Sequence, residues 1–379
     1  MASSNATLAS ALMRDFAERT GLSSTRPPRR YLWTDSFAVC NFLGLARNQG
    51  GDDTQIAVRL VDQVHWVLGR HRGDDGRSGW ISGLGESEGA RHPTRGGLRI
   101  GKPLPERRVE EAADASLEWE RDGQYFHYLT RWMHALDQFA RRTGDSDAGR
   151  WACELAQVAQ RAFTWPVVGG TSRMVWKMSI DLQRPLVASM GQQDPLDGLV
   201  TCLQLQAHRV PGSEAPDLEP QIRALASLAA GIDPASDDPL GIGGLLVDAW
   251  KLLQLPETDG TAKLVARLLD AAADGLGAWL RQRPLDQPVT QRLAFRELGC
   301  AIGLHAVARI HALSDRGFGT SLQRLVAWLP LAAAIEAAWL HARQQRERSW
   351  LAHHDINAVM LATSLLAVSR SSDGYLDLA

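Results

Sequence analysis

Apolar residues recur along this chain every three to four positions, the period of a helix that buries one stripe. The clearest run is Tyr125, Leu129, Trp132, Leu136 and Phe139, with Arg131, Asp137 and Arg141 on other faces. The same spacing predicts helices near 6–20, 31–48, 53–71, 123–143, 147–163, 195–208, 217–230, 239–255, 261–281, 291–313, 320–345 and 355–369. Asp194-Pro195 and Asp238-Pro239 each set a capping acid before a proline at the first helical position, where its missing N–H is not needed.

Short polar turns such as Gln49-Gly50-Gly51-Asp52, Thr143-Gly144-Asp145 and Pro256–Gly260 separate neighbouring helices and suit antiparallel pairs. The helices group as hairpins at 31–71, 123–163, 194–230, 239–281 and 290–345, leaving the last helix to pair with the first and close a ring. Two connections are longer. Residues 72–120 form a loop insertion rich in glycine and arginine, and within 164–193 the alternation of Met174, Trp176, Met178 and Ile180 reads as a strand, giving a small β insertion near 172–190. Both precede the first helix of a hairpin, so in a ring they fall at one end. The expected fold is all-α, one domain over 1–379.

This pattern resembles the six-hairpin (α/α)6 toroids, the architecture of the six-hairpin glycosidase-like enzymes and of the N-acylglucosamine 2-epimerase group. The resemblance lies in the hairpins and covers nearly the whole chain. Tyr31-Leu32-Trp33-Thr34-Asp35 and Met190–Gly198 look like the fingerprint of a bacterial family. The resemblance implies a substrate pocket where connections enter the inner helices, an end that gathers Trp33, Asp35, Trp80, residues 118–125, 177–184 and 192–197, Asp238, residues 292–297 and 353–357.

Aromatic faces stack on sugar rings while carboxylates and amides bind hydroxyls. Trp33, Trp80, Tyr125, His127, Lys177, Gln192, Arg296 and His353 are therefore the expected binding residues for a small molecule, a sugar or an anionic one. Hydrolysis of a glycosidic bond adds two carboxyl groups, about 5 to 5.5 Å apart for retention or roughly 6.5 to 9.5 Å for inversion. Candidates are Asp35, Asp122, Asp194 and Asp197; Asp122 leads, because Trp119, Tyr125 and Phe126 around it would raise its pKa. Capping of helix starts is the alternative role for each. A sugar epimerase or isomerase would instead move protons with histidine, from His127, His353 or His354. A non-catalytic scaffold would leave the inner carboxylates in salt bridges with Arg121, Arg184 or Arg296.

Composition narrows the partners. Lysine plus arginine number 41 against 43 acidic residues, which argues against nucleic acid and anionic membrane. No stretch reads as long enough to span a bilayer, and Met1–Ser10 lacks the pattern of a leader, so the cytoplasm is the expected place. Cys40, Cys153, Cys202 and Cys300 are far apart, and no histidine spacing marks a metal helix, so neither metal nor cofactor is expected. Gly96–Lys102 departs from the phosphate-loop spacing, with Pro103 where a hydroxyl belongs. Arg91, Arg95, Arg99, Lys102, Arg107 and Arg108 offer either a cationic lid over a uronate or sugar phosphate, or a solvated loop. Oligomeric state is left open.

Overall fold

A computed structural model of the chain describes residues 2–49, 52–166, 172–187, 189, 191, 193–313 and 319–378. Helix accounts for 63% of it and strand for 5%, so the all-α class holds. Each expected helical segment contains a helix, with one division. Gly319–Gln344 contains an 18-residue stretch with a mean hydropathy, 1.5, high enough for a membrane-crossing helix, contrary to the expectation that no stretch does, and 39% of that stretch is buried. It is nonetheless two helices, Gly319–Val326 and Pro330–Gln344. Pro330 lacks the N–H that a continuous helix would need there.

The chain divides into two compact units, residues 18–39 with 55–232, and residues 1–17, 40–54 and 233–379. In the 55–232 unit, Phe126–Thr143 and Ser146–Phe163 form one hairpin and Asp194–His208 with Glu219–Ala230 another. Gly144 turns the first at φ 77°, a left-handed value that glycine adopts without strain, and the Asp145 carboxylate caps the next helix.

Phe126–Thr143 also packs on Asp194–His208, which changes the reading of its polar face. Arg131, His134, Asp137 and Gln138 are buried rather than solvated. Arg131 Nη1 donates to Asp197 at 2.9 Å, Gln204 Nε2 donates to Asp137 at 2.6 Å, and His134 meets Gln204 at 3.1 Å. A helix enclosed by others has no wet side, so its polar residues find partners on the next helix.

The 72–120 connection is enclosed in part. Trp80, Ile81, Leu98 and Ile100 are core residues, and short helices form at Glu86–Arg91 and Ala115–Glu118. Three of its arginines pair with carboxylates of the structure beneath, Arg99 with Asp122, Arg107 with Glu118 and the half-exposed Arg95 with Glu154, while Arg91 and Arg108 stay solvated.

The expected strand splits between two sheets. Ser172–Met174 pairs with Thr164–Pro166, while Lys177–Met178 lies between Gln124–Tyr125 and Pro185–Val187 in an antiparallel three-stranded sheet. The register sets Tyr125 opposite Lys177 at the mouth of the Phe126–Thr143 helix.

In the 233–379 unit, Pro239–Leu253 packs against Asp259–Arg281 and against Ala294–His311, which in turn meets Pro330–Gln344 and His354–Ala367. Glycine permits the closest of these approaches: a Cβ on Gly243 would stand 2.0 Å from the Gly299 carbonyl oxygen. Gly243→Ala is expected to push the two helices apart and cost about 1–3 kcal/mol. The urea midpoint would read this; an unchanged midpoint would show that the helices do not touch there.

Candidate functional site

The run Tyr125-Phe126-His127-Tyr128 turns from strand to helix, and the change of period sends neighbouring rings to one place. Tyr125 stacks on His127 with centroids 5.4 Å apart and an interplanar angle of 27°. Trp176 lies 5.4 Å from Tyr125 and stacks over His127 at 6.2 Å. Trp33 meets His127 edge-on at 5.9 Å and Tyr128 at 5.3 Å, and the Tyr31 and Tyr128 hydroxyls share a hydrogen bond of 2.5 Å. Burial drives the Tyr31 hydroxyl up to about 12.

This wall opens on one side as a cleft of about 340 Å³, lined by Trp119, Trp176 and Tyr125 with Glu118, Leu186 and Val187. Trp119 is 49% exposed and meets Trp176 edge-on at 4.8 Å. A half-exposed indole beside a half-buried one offers a flat apolar face to a ligand that carries hydroxyls on its rim.

Beside the wall, at the start of the Asp194–His208 helix, lies an acid for which the described residues provide no hydrogen-bond donor to Oδ2. Asp194 Oδ2 is buried and makes no hydrogen bond among the described residues, and Asp194 Oδ1 is 3.9 Å from His127 Nδ1, which also makes none. Burial, and then the charge of Asp197, push the Asp194 carboxyl up to about 7, against the pull of Arg131. Burial holds the His127 imidazole down to about 4. Near neutral pH the pair is thus a carboxyl that still carries protons facing a neutral imidazole. Gly191 covers the acid: a Cβ there would stand 2.3 Å from Asp194 Oδ2. Neither His127 nor Asp194 lines the cleft itself; His127 joins it through the Tyr125 and Trp176 rings that it stacks on.

No protein-family model, curated protein or solved structure matches this chain. The roles of its residues therefore rest on their own geometry.

Asp122 departs most from expectation. It is fully buried, not among indoles but between Arg99 Nη1 at 2.6 Å and Arg72 Nη1 at 3.2 Å, with the Gly101 and Gly123 amides donating at 3.0 and 3.1 Å. Its acceptor capacity is occupied, and it holds the 72–120 connection to the sheet. Lys177 is likewise internal: its Nζ donates to Glu118 Oε1 at 2.9 Å and to the Glu118 and Arg121 carbonyls, and burial lowers its pKa.

Asp35 accepts from the Tyr31 amide at 2.9 Å and faces Arg30 at 3.4 Å, the helix-start role. Asp197 and Asp194 do not cap: Gln193 occupies the cap position, with no side-chain capping bond, and Asp197 accepts from Thr130 and Arg131. Asp238 does cap, accepting from the Gly241 amide at 3.3 Å and from Arg296 at 2.8 Å. Trp80 lies over Gly89 beside Trp66 and Arg70, within the 72–120 packing.

The structure thus brings Trp33, Tyr125, His127, Asp194 and Asp197 together. Arg296, His353 and His354 belong to the other unit, where Arg296 and His353 flank Phe295 and His354 stands 3.6 Å from Asp15. Gln192 lies outside the described residues. Sequence reading gave no site role to Tyr128, Thr130 or Arg131. A signal was present for Arg131, which is one helical turn after His127 and so on its face.

Proposed function

We propose that the chain binds a carbohydrate-like small molecule along the Trp119–Trp176–Tyr125 wall, its reacting end extending past the rings to the 25%-exposed His127 side chain, and moves protons on it, with Asp194 as acid and His127 as neutral base. The observation that carries this reading is the pair itself: an acid raised to about 7 and an imidazole lowered to about 4, 3.9 Å apart and without other partners among the described residues. Isomerisation or epimerisation of a sugar next to its carbonyl needs a base to take a proton from carbon and an acid to protonate oxygen. Two groups whose surroundings push their pKa values apart supply both forms at one pH.

Glycoside hydrolysis is the second reading, with the same Asp194 as acid. It is favoured by one observation, that a second carboxylate, Asp197, stands close enough to raise the Asp194 pKa. Against it, the Asp197 oxygens are taken by Thr130 and Arg131. A non-catalytic scaffold would neutralise its carboxylates throughout. Asp35, Asp122, Asp197 and Asp238 do face arginines, and Asp194 is the exception that supports catalysis.

For the architecture we propose the (α/α)6 toroid. Support comes from first helices of successive hairpins lying side by side: Phe126–Thr143 on Asp194–His208 in one unit, and Pro239–Leu253 on Ala294–His311 in the other.

The test is incubation of the full chain in D2O with free aldoses, ketoses and N-acetylhexosamines, and separately with aryl glycosides and oligosaccharides. Proton NMR showing deuterium at the carbon beside a sugar carbonyl would support proton transfer; new reducing ends alone would support hydrolysis. Silence in both sets would sink the enzymatic reading. Trp119→Ala, at a half-exposed position, is expected to raise the half-saturating concentration about tenfold while leaving Tm within a degree or so. An unchanged half-saturation would remove the cleft from the site.

A further inference from the structure

A second cavity of about 560 Å³ lies in the 55–232 unit, apart from the aromatic wall and sharing none of its lining. Glu154, Gln157, Gln160 and Arg161 reach it from Ser146–Phe163, Gln221 from Glu219–Ala230, and Arg95 from the 72–120 connection.

Its polar groups are unevenly satisfied. Glu154 has a side chain only 4% exposed, and its bonds all converge on one oxygen: Oε1 lies 2.7 Å from His92 Nδ1 and accepts from Arg95 Nε and Nη2 at 3.2 and 3.1 Å. The other, Oε2, is buried without a hydrogen-bond partner among the described residues, and so is Gln221 Oε1. A buried acceptor left unpaired costs about 1–3 kcal/mol, so two beside one cavity call for a donor that the protein itself does not supply. Arg95, with its side chain 49% exposed, and the exposed Arg161 add cationic donors at the rim.

We propose that this cavity is a binding site for a hydroxylated anion, a small polyol carrying a carboxylate or phosphate. The anionic group pairs with the Arg161 guanidinium fork, which suits carboxylate and phosphate oxygens, and with the Nη1 edge of Arg95 that its two bonds to Glu154 leave over. Hydroxyls of the same molecule donate to Glu154 Oε2 and Gln221 Oε1, satisfying both orphaned acceptors. An anion without hydroxyls leaves those acceptors empty, and a neutral sugar leaves the arginines unused. The site therefore prefers the two together. It stands independently of the reaction proposed for Asp194.

Isothermal titration of the full chain with glucose 6-phosphate, glucuronate, inorganic phosphate and glucose tests this. Saturable binding of glucose 6-phosphate or glucuronate is expected, at least about tenfold tighter than inorganic phosphate or glucose. Arg161→Ala, at an exposed position, should weaken that binding about tenfold or more, while Trp119→Ala should leave it unchanged. Gln157→Ala serves as a second lining variant should the first disturb the fold, with circular dichroism as the check on both. Absence of saturable binding by both hydroxylated anions overturns the proposal. So does binding that survives both lining variants, or that falls with Trp119→Ala instead.

Discussion

Asp194→Asn is expected to lower turnover by about 10²–10⁴-fold, on whichever substrate the D2O panel identifies, while the protein stays folded. The amide keeps the shape of the carboxyl but has no proton to give, and Gly191 leaves room for it above the side chain. The same variant reports on the pKa through stability. An acid raised in the folded state contributes fully below its unfolded value, 3.8, and loses that contribution as pH rises through about 7. At about 1.36 kcal/mol per pKa unit the loss is on the order of 4 kcal/mol between pH 4 and 8. The asparagine stays neutral across that window, so the variant should gain stability relative to the parent as pH rises. His127 has the opposite sign, its contribution being lost as pH falls from 6.5 through about 4, and it is present in both proteins. Urea midpoints at pH 5 and pH 8 decide the matter. A difference between variant and parent that does not change with pH would remove the raised carboxyl, and the acid with it.

Asp122→Ala should act on stability instead, with a loss of about 3–5 kcal/mol. Removing this carboxylate leaves the buried Arg99 guanidinium with carbonyl acceptors only, leaves Arg72 to Asp74, and frees the Gly101 and Gly123 amides. The 72–120 connection would lose its hold on the sheet that carries Tyr125. A denaturation midpoint lowered by that amount, with substrate affinity recovering at low temperature where the variant folds, is the expected result. A variant as stable as the parent but inactive would return Asp122 to the catalytic role that the sequence suggested.

These two acids show where reading the chain alone succeeds and where it stops. Both were visible as aspartates at helix starts, Asp122 among aromatic residues and Asp194 before a proline. Asp122 has three aromatic residues within four positions, yet chain neighbours point elsewhere when strand gives way to helix. Its surroundings come from Arg72 and Arg99, tens of residues away in sequence. Asp194 looked like a helix cap because Pro195 follows it, but Gln193 holds the cap position and the Asp194 carboxyl turns toward His127. The arginines of 72–120 read as a solvated loop or a lid, since nothing local reveals that Asp122, Glu118 and Glu154 lie underneath.

The helices were legible because their cause is local: an apolar stripe at a period of 3.6, with proline and glycine at the ends, specifies helix whatever lies opposite. That much the amino-acid order determined by itself, together with the pairing of consecutive helices through short turns. What each polar side chain faces was decided by tertiary packing. Arg131 reads from its own helix only as a residue off the apolar stripe and is buried on Asp197 of another; Met174 and Lys177 read as one strand and pair with different partners. The pKa of Asp194 belongs to this second class, since it arises from burial and from the neighbouring charges of Asp197 and Arg131. Local periodicity carries information over a few residues, whereas desolvation and charge depend on which distant segments arrive at the same place.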